Sequence, residues 1–253
     1  MARRLIDNNR RREQRRQSEL LDRLERQFAK RFRAEIARAM RQLAEQYLLT
    51  GEVGLARDHV ENIETIFRQL AVTSAEMFGA RIVDQGKAAG FQIETKNFAA
   101  TMSRLALRYV ASEMIRQRIT SITSTTRQQV VNAVAIGYRD GLAQDGVAKL
   151  ILDRVADFST YRGRMIARTE THGAANFGAT EAARETGLPL RKEWIAAQDE
   201  RTRESHADAD GQIVGQNDSF DVGGYSLQYP GDPSGPGEEV INCRCAIGWI
   251  VEE

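Results

Sequence analysis

Thr186-Gly-Leu-Pro-Leu-Arg-Lys-Glu-Trp-Ile195 is where the chain changes character. Gly187 can take the left-handed conformation that closes a helix, and Pro189 cannot continue one, so a helix arriving from upstream stops here. From Leu190 the apolar pattern becomes that of a strand, carrying Trp194, over residues 190–196. All four prolines (Pro189, Pro230, Pro233, Pro236) and both tryptophans (Trp194, Trp249) lie in this last quarter, and the first 188 residues are free of proline. The partition predicts an α+β protein, with a long, mainly α-helical N-terminal part followed by a small C-terminal α+β domain of short antiparallel strands.

Beyond the stop, residues 212–214, 225–229, 240–242 and 246–251 read as further short strands. Between them, residues 229–237 hold three prolines and three glycines in nine positions, a density that neither ladder nor helix tolerates, so this segment is an irregular loop. Upstream, the helix that ends at Thr186 is crowded with small residues, Gly173, Ala174, Ala175, Gly178, Ala179, Ala182 and Ala183, which permit close backbone approach. Ser159 or Thr160 is expected to cap its start, after a separate short amphipathic helix over residues 147–158. The turn-rich patch of Gly137, Asp140, Gly141, Asp145 and Gly146 precedes that one.

Three further helical patterns fill the N-terminal half. Leu24, Phe28, Phe32, Ile36, Met40, Leu43 and Tyr47 recur every three or four residues and form one narrow stripe, with arginines on the other faces and Thr50-Gly51 at its end. So basic and narrow-faced a helix reads as an arm laid on a neighbour. A second pattern runs through Leu55, Val60, Ile63, Phe67, Leu70, Ser74, Phe78 and Ile82, stopping before residues 86–90. The third begins near Thr95 or Asn97 and carries Phe98, Met102, Leu105, Tyr109, Ile115, Ile119 and Ile122. The Ser/Thr run over residues 120–126 is poor in helix formers, and a break is expected there before Val130 and Val134 resume.

With 42% apolar and 28% charged residues in 253, the chain suits a soluble fold. No run approaches the roughly 18 to 20 apolar residues of a membrane span, and the N-terminus leads into arginines, so neither a transmembrane helix nor a secretory leader is expected. Two cysteines three residues from end to end cannot form a disulfide framework, which makes a reducing compartment the default. The net charge of +1 hides a gradient: residues 1–41 hold 14 Lys and Arg against 6 Asp and Glu, whereas residues 193–253 hold 3 against 13. A chain so divided suits an assembly component whose two ends face different partners.

The densest group of chemically capable residues is Asp199, Arg201, Arg203, His206, Asp208, Asp210 and Gly211, joined later by Asn242-Cys243-Arg244-Cys245. Imidazole and thiolate suit Zn²⁺; His206, Cys243 and Cys245 supply three ligands, and Asp199, Asp208 or His172 is the candidate fourth. On a regular strand the two sulfurs would sit roughly 6 to 7 Å apart, so a turn or bulge must bring them together. Against the metal reading, paired cysteines near a terminus also serve as small buried apolar residues, and His206 as a histidine bonded to Asp199 or Asp208. Arg168 and His172 lie one turn apart on a helix face; they suit salt bridges or a contact with the acidic segment around Asp199. No catalytic triad spacing, His-Glu-x-x-His or Gly-Lys-Ser/Thr loop occurs.

In this order, Tyr161-Arg-Gly-Arg-Met-Ile-Ala-Arg-Thr-Glu170, Trp194, Asp199-Glu-Arg-Thr-Arg203-Glu-Ser-His206, Asp210-Gly211, Phe220, Pro230-Gly-Asp-Pro233 and Ile241-Asn-Cys-Arg-Cys245 resemble the phage Mu F-like family of minor head, or head morphogenesis, proteins. The resemblance covers roughly residues 130–253. It implies two domains: residues 1–130, a basic arm and helical bundle, and residues 131–253, the head morphogenesis domain, with helices over 147–186 and the strand-and-loop part over 190–253. The family's motif positions fall on Arg168, Thr169, Glu170, Trp194, Asp199, Arg201, Thr202, Arg203, His206, Gly211, Asn242, Cys243 and Cys245. With His172 they are read as scaffolding of a small domain with a thin core.

The resemblance further implies a non-enzymatic structural protein of tailed phages or prophages, made in the host cytoplasm and present in several copies inside the head near the portal. Its implied roles are head assembly, DNA packaging or DNA delivery; its implied partners are the portal protein and the major capsid or scaffold protein, with no membrane. The arm's Arg10, Arg11, Arg12, Arg15 and Arg16 are the expected contacts to the portal or to packaged DNA, the latter through salt-dependent neutralisation of phosphates. Some relatives carry fused toxin domains; none is expected after Cys245. The rival reading is an enzyme, ADP-ribosyltransferase-like or zinc-dependent, working from Arg168, Glu170 and His206. The expected Glu-x-Glu pair is missing, since Glu238-Glu239 and Glu252-Glu253 are adjacent and would face opposite sides of a strand. A free DNA-binding regulator has only the basic arm in its favour.

Overall fold

The computed structural model describes residues 3–4 and 10–251. In chain order the elements are β1 (Arg3–Arg4), α1 (Arg10–Thr50), α2 (His59–Ala88), α3 (Phe98–Val110), α4 (Glu113–Arg139), α5 (Gln144–Glu185), β2 (Leu190–Ile195), α6 (Glu204–Asp208), β3 (Ile213–Gly215), β4 (Phe220–Val222), β5 (Tyr225–Leu227), α7 (Gly237–Val240) and β6 (Ala246–Val251). This is the expected α+β order, helices first and short antiparallel strands last. The chain partitions into two compact units, each gathered from separate segments: residues 1–25, 68–111 and 168–253 form one, residues 26–67 and 112–167 the other. Position 130, where the sequence suggested a boundary, lies within α4.

The all-helical unit is organised by the stripe of α1. Phe28, Phe32, Ile36, Met40, Leu43 and Tyr47 are all buried, together with Ile63 and Phe67 of α2, Ile115, Ile119 and Ile122 of α4, and Val147, Ile151 and Val155 of α5. The Phe32 ring meets Phe67 edge-on at 5.7 Å. This stripe is therefore a core face of its own unit and not an arm awaiting a neighbour's surface. Ala37, Ala39 and Ala44 are buried beside it and widen the apolar face beyond a narrow seam, a contribution that counting only large side chains overlooks.

Three helix boundaries differ from the sequence expectation. The break after α3 falls at Ala111-Ser112, where Ser112 turns extended and caps Ile115 N–H. The Ser/Thr run stays helical, held by the burial of Ile119, Ile122, Thr126 and Val130, and its hydroxyls bond back to the preceding turn: Thr120 to Arg116 O, Ser124 to Thr120 O, Thr125 to Ser121 O and Thr126 to Ile122 O, at 2.7–3.0 Å. Back-bonding of this kind satisfies the hydroxyls without breaking the helix. Ser159 does the same, donating to Ala156 O, so α5 runs unbroken for 42 residues where two helices were expected. The second pattern starts at His59; Leu55 and Val60, 78% and 51% exposed, lie outside its core face.

The other unit carries the strands. A four-stranded antiparallel sheet has the order β1-β6-β2-β3, and β4 with β5 forms a separate hairpin. Leu190 faces Val251 and Ile195 faces Ala246 along the central β2–β6 pair; Ala246–Val251 is buried throughout, as a covered strand requires. Residues 240–242, expected as a strand, instead finish the turn of α7, while β4 and β1 were not anticipated. The Tyr229–Gly237 loop is irregular, as expected.

The small-residue face of α5 packs in this unit. A side chain at Gly178 would run into the backbone of Ala75, and a Cβ at Gly173 would come within 2.8 Å of Gly231 O. Because Ala75 belongs to α2 backbone, nothing flexible can yield. Gly178→Val is expected to destabilise the unit by about 1–3 kcal/mol, read as a lower denaturation midpoint; an unchanged midpoint would mean that α2 and α5 do not meet here. Among the described residues no helix is long and apolar enough to cross a membrane.

Candidate metal centre

Four short pieces of chain converge where the sequence is densest in functional side chains. β2 delivers Trp194, whose flank is fixed by a turn: Trp194 N–H donates to Gln212 O and Gly211 N–H to Trp194 O, both at 2.9 Å. Gly211 sits at φ +82, the left-handed conformation that makes glycine the natural residue there. Next, residues 198–202 close a tight turn in which Asp199 Oδ1 accepts from Arg201 N–H (3.0 Å) and the Thr202 hydroxyl (3.2 Å). That turn launches α6, which carries His206. Finally, α7 ends at Val240, Asn242 takes φ +60, and Cys243-Arg244-Cys245 runs as irregular chain before β6.

The irregular segment supplies the turn that a Cys-x-Cys cluster needs. His206, Cys243 and Cys245 are all buried, and their donor atoms lie within 4.8 Å of one another. His206 Nδ1 is 3.2 Å from Cys245 Sγ and 3.7 Å from Cys243 Sγ. Its other nitrogen, Nε2, faces Glu239 Oε2 at 3.0 Å, and Ser205 Oγ donates to the same carboxylate oxygen at 2.8 Å. Trp194 stands edge-on to the imidazole, with ring centroids 5.5 Å apart, and to Phe220 at 5.3 Å. Trp194, Ala196, Ala209, Phe220, Val222 and Leu227 enclose the cysteines in one small core.

The electrostatics follow from that packing. Burial works against a charged His206, but its contact with the Cys245 thiol, and to a lesser degree Glu239, raise its pKa above the usual histidine value. For Cys243, burial would raise the pKa; hydrogen bonds from the Cys245 thiol and amide, with the positive charge of Arg203, outweigh it and hold the thiol below its ordinary range. Cys245 is pushed well up by the bond it donates to Cys243 and by burial. The two thiols are coupled, and Cys243 is the more acidic of them. Beside the cluster opens a cavity of about 260 Å³ whose rim includes Arg168, Arg201, Arg203 and Arg244.

The other expected site residues take definite places. Asp199 lies on the rim of that cavity but spends its carboxylate on its own turn and is not part of the donor cluster; this corrects its expected role as a metal ligand. His206 pairs with Glu239 and not with Asp199 or Asp208. Arg168 does not meet the acidic segment around Asp199 but forms a forked pair with Glu25 of α1, at 2.8–3.1 Å. Thr169 Oγ1 accepts from Asn242 N–H at 3.1 Å, and Glu170 is buried. His172 is buried with Nε2 3.2 Å from Asn176 Nδ2 and a hydrogen bond to the Cys245 carbonyl; it is not in the donor cluster either. Arg10, expected to face a partner, is committed within the fold, 2.8 Å from Glu193 and 2.7 Å from Asp210. Arg11, Arg12, Arg15 and Arg16 are exposed.

Glu239 is the functional side chain that sequence reasoning missed. Read as part of a strand, Glu238-Glu239 looked like two acids facing opposite ways; in the turn of α7, Glu239 faces inward. A further missed support is Asn176, which donates to Pro230 O at 2.8 Å and fixes the Pro-Gly loop against α5.

Residues 127–248, just under half of the chain, match the family described as Phage Mu protein F like protein. Among curated proteins, the minor head protein GP7 of Bacillus phage SPP1 is 25% identical over 258 aligned residues, 91% of this chain and 82% of that protein. The NAD(+)–arginine ADP-ribosyltransferase EFV of Enterococcus faecalis is 29% identical over 146 residues, 56% of this chain but only 30% of that protein. The uncharacterized protein YqbB of Bacillus subtilis is 28% identical over 108 residues, 41% of this chain and 35% of its own length. The chain thus spans about a third of EFV and YqbB. No solved structure matches.

Proposed function

We propose that this chain works at the portal vertex of a phage head. It is a phage minor head morphogenesis protein, a component of the virion associated with other head proteins. The observation that carries this reading is the likeness to SPP1 GP7 along nearly the whole chain, joined to the match of residues 127–248 to the Mu F-like family. The role is structural and non-enzymatic. Supporting that, both nitrogens of His206 are engaged within the fold, and no Glu-x-Glu pair occurs in the sequence.

The docking face is the N-terminal end of α1. Arg11 and Arg15 line an open groove of about 720 Å³ with Gln14 and Gln198, and Arg16 is exposed nearby. A groove so edged suits an acidic segment of the portal protein. The triple variant Arg11→Glu, Arg15→Glu, Arg16→Glu is expected to lower incorporation into procapsids at least tenfold, by quantitative mass spectrometry against the major capsid protein, while its melting temperature stays that of the parent. Unchanged incorporation would discard this face. Loss of salt-dependent DNA binding with normal incorporation would assign it to packaged DNA instead.

The likeness to the ADP-ribosyltransferase EFV supports a second reading, transfer of ADP-ribose from NAD⁺. Most of that protein lies outside the match, and the expected result is no NAD⁺ consumption by the purified chain with arginine acceptors. Turnover abolished by Glu170→Gln would establish the enzyme.

A further inference from the structure

We infer that His206 Nδ1, Cys243 Sγ and Cys245 Sγ hold a zinc ion that ties α6 to the segment entering β6, with Glu239 orienting the imidazole. The inference is independent of where in the head the protein sits. Its first support is distance. A tetrahedral zinc with sulfur at about 2.3 Å and nitrogen at about 2.05 Å separates the two donors by roughly 3.6 Å; the nitrogen here stands 3.2 and 3.7 Å from the two sulfurs. The three donors are already gathered, where cysteines serving only as small apolar residues would have no reason to turn both sulfurs onto one imidazole nitrogen.

The second support is the surroundings. Nδ1 faces the sulfurs while Nε2 faces a carboxylate, the arrangement that fixes a ligating histidine's tautomer and ring. The carboxylate is itself held by Ser205. The Cys245 amide donates to the Cys243 sulfur, a bond a thiolate accepts better than a thiol. Two thiolates and one imidazole select a borderline-soft ion over magnesium, calcium or manganese.

Binding is balanced simply. Zn²⁺ displaces the two thiol protons to solvent and forms two Zn–S bonds and one Zn–N bond, so ion and thiolates together are neutral. No other His, Cys, Asp or Glu among the described residues joins the cluster. The fourth position is therefore left to a water from the neighbouring cavity.

The full chain, purified without chelator from zinc-supplemented cells, is expected to carry stoichiometric zinc by inductively coupled plasma mass spectrometry. With the zinc exchanged for cobalt(II), it should show the tetrahedral d–d bands and the sulfur-to-cobalt charge-transfer band of two thiolates. Cys243→Ser and His206→Ala should lose the metal. Glu239→Gln should keep the cobalt bands but bind about 10- to 100-fold more weakly. Because the ligand variants can fail through misfolding, the cobalt spectrum of the unaltered chain is decisive. A folded wild-type chain without zinc and without the thiolate band would overturn the inference, as would a Cys243–Cys245 disulfide or zinc retained undiminished in Cys243→Ser.

Discussion

Trp194→Ala is expected to cost the strand-bearing unit about 3–5 kcal/mol, the range for deleting a buried tryptophan. Trp194 is fully buried and is the largest member of a core built otherwise from alanines, two cysteines, one Phe, one Val and one Leu. Its ring props the His206 imidazole on one edge and Phe220 on another, so its loss leaves a cavity that this short-stranded region has little means to close. The damage should spread to the donor cluster, since the imidazole loses the surface that fixes its plane. Trp249 lies in β6 of the same unit, and its fluorescence in a urea titration reports this unit even with Trp194 gone. Trp194→Phe should cost less, because a ring remains against His206. A loss below about 1 kcal/mol for the alanine variant would show that the small core is held by its loops and not by this ring.

What was legible in the sequence was decided by strong local physics. The stop at Gly187 and Pro189, the buried strands either side of the loop, the irregular Pro-Gly segment and the small-residue face of α5 each follow from a backbone or packing rule that needs no tertiary information. What was not legible depended on partners far along the chain. The Ser/Thr run is helical because Ile119, Ile122, Thr126 and Val130 are buried along it, and such tertiary packing overrides local propensity. The stripe of α1 looked narrow because the alanines completing its face are individually weak signals. Arg10 looked like a free cation because Glu193 and Asp210 lie about two hundred residues away. In the donor cluster, His206, Cys243 and Cys245 were recognisable by chemistry, whereas their carboxylate was not: Glu239 is four residues before Cys243, but only the turn of α7 and the left-handed Asn242 aim it at the imidazole.

His172 should make the fold acid-sensitive from pH 6.5 downward, beginning above the range in which most carboxylates titrate. Burial, helped by the positive charges of Arg244 and His206 and opposed by the Cys245 carbonyl and Glu25, pushes its pKa from 6.5 down to about 3. The folded protein therefore keeps this imidazole neutral, its Nε2 paired with Asn176, while an unfolded chain takes up a proton below pH 6.5. The unfolded state then binds more protons, so the stability contributed by neutral His172 is fully present above pH 6.5 and is lost as pH falls toward 3. The limiting loss is of the order of 5 kcal/mol, at about 1.4 kcal/mol per pH unit in the steep part of the window. His172→Gln offers an amide that can donate to the Cys245 carbonyl and accept from Asn176, without a titrating group. The variant should be less stable than the parent at pH 7.5, and the difference should shrink by about one proton's worth per pH unit between pH 6 and 5. With both proteins in the same metal state, the opposite contribution of His206, whose raised pKa favours the fold at low pH and fades as pH rises, enters both curves alike. Parallel stability curves for parent and variant across this range would mean that His172 is protonated in the folded chain, and the buried contact between α5 and the Cys-Arg-Cys segment would have to be redrawn.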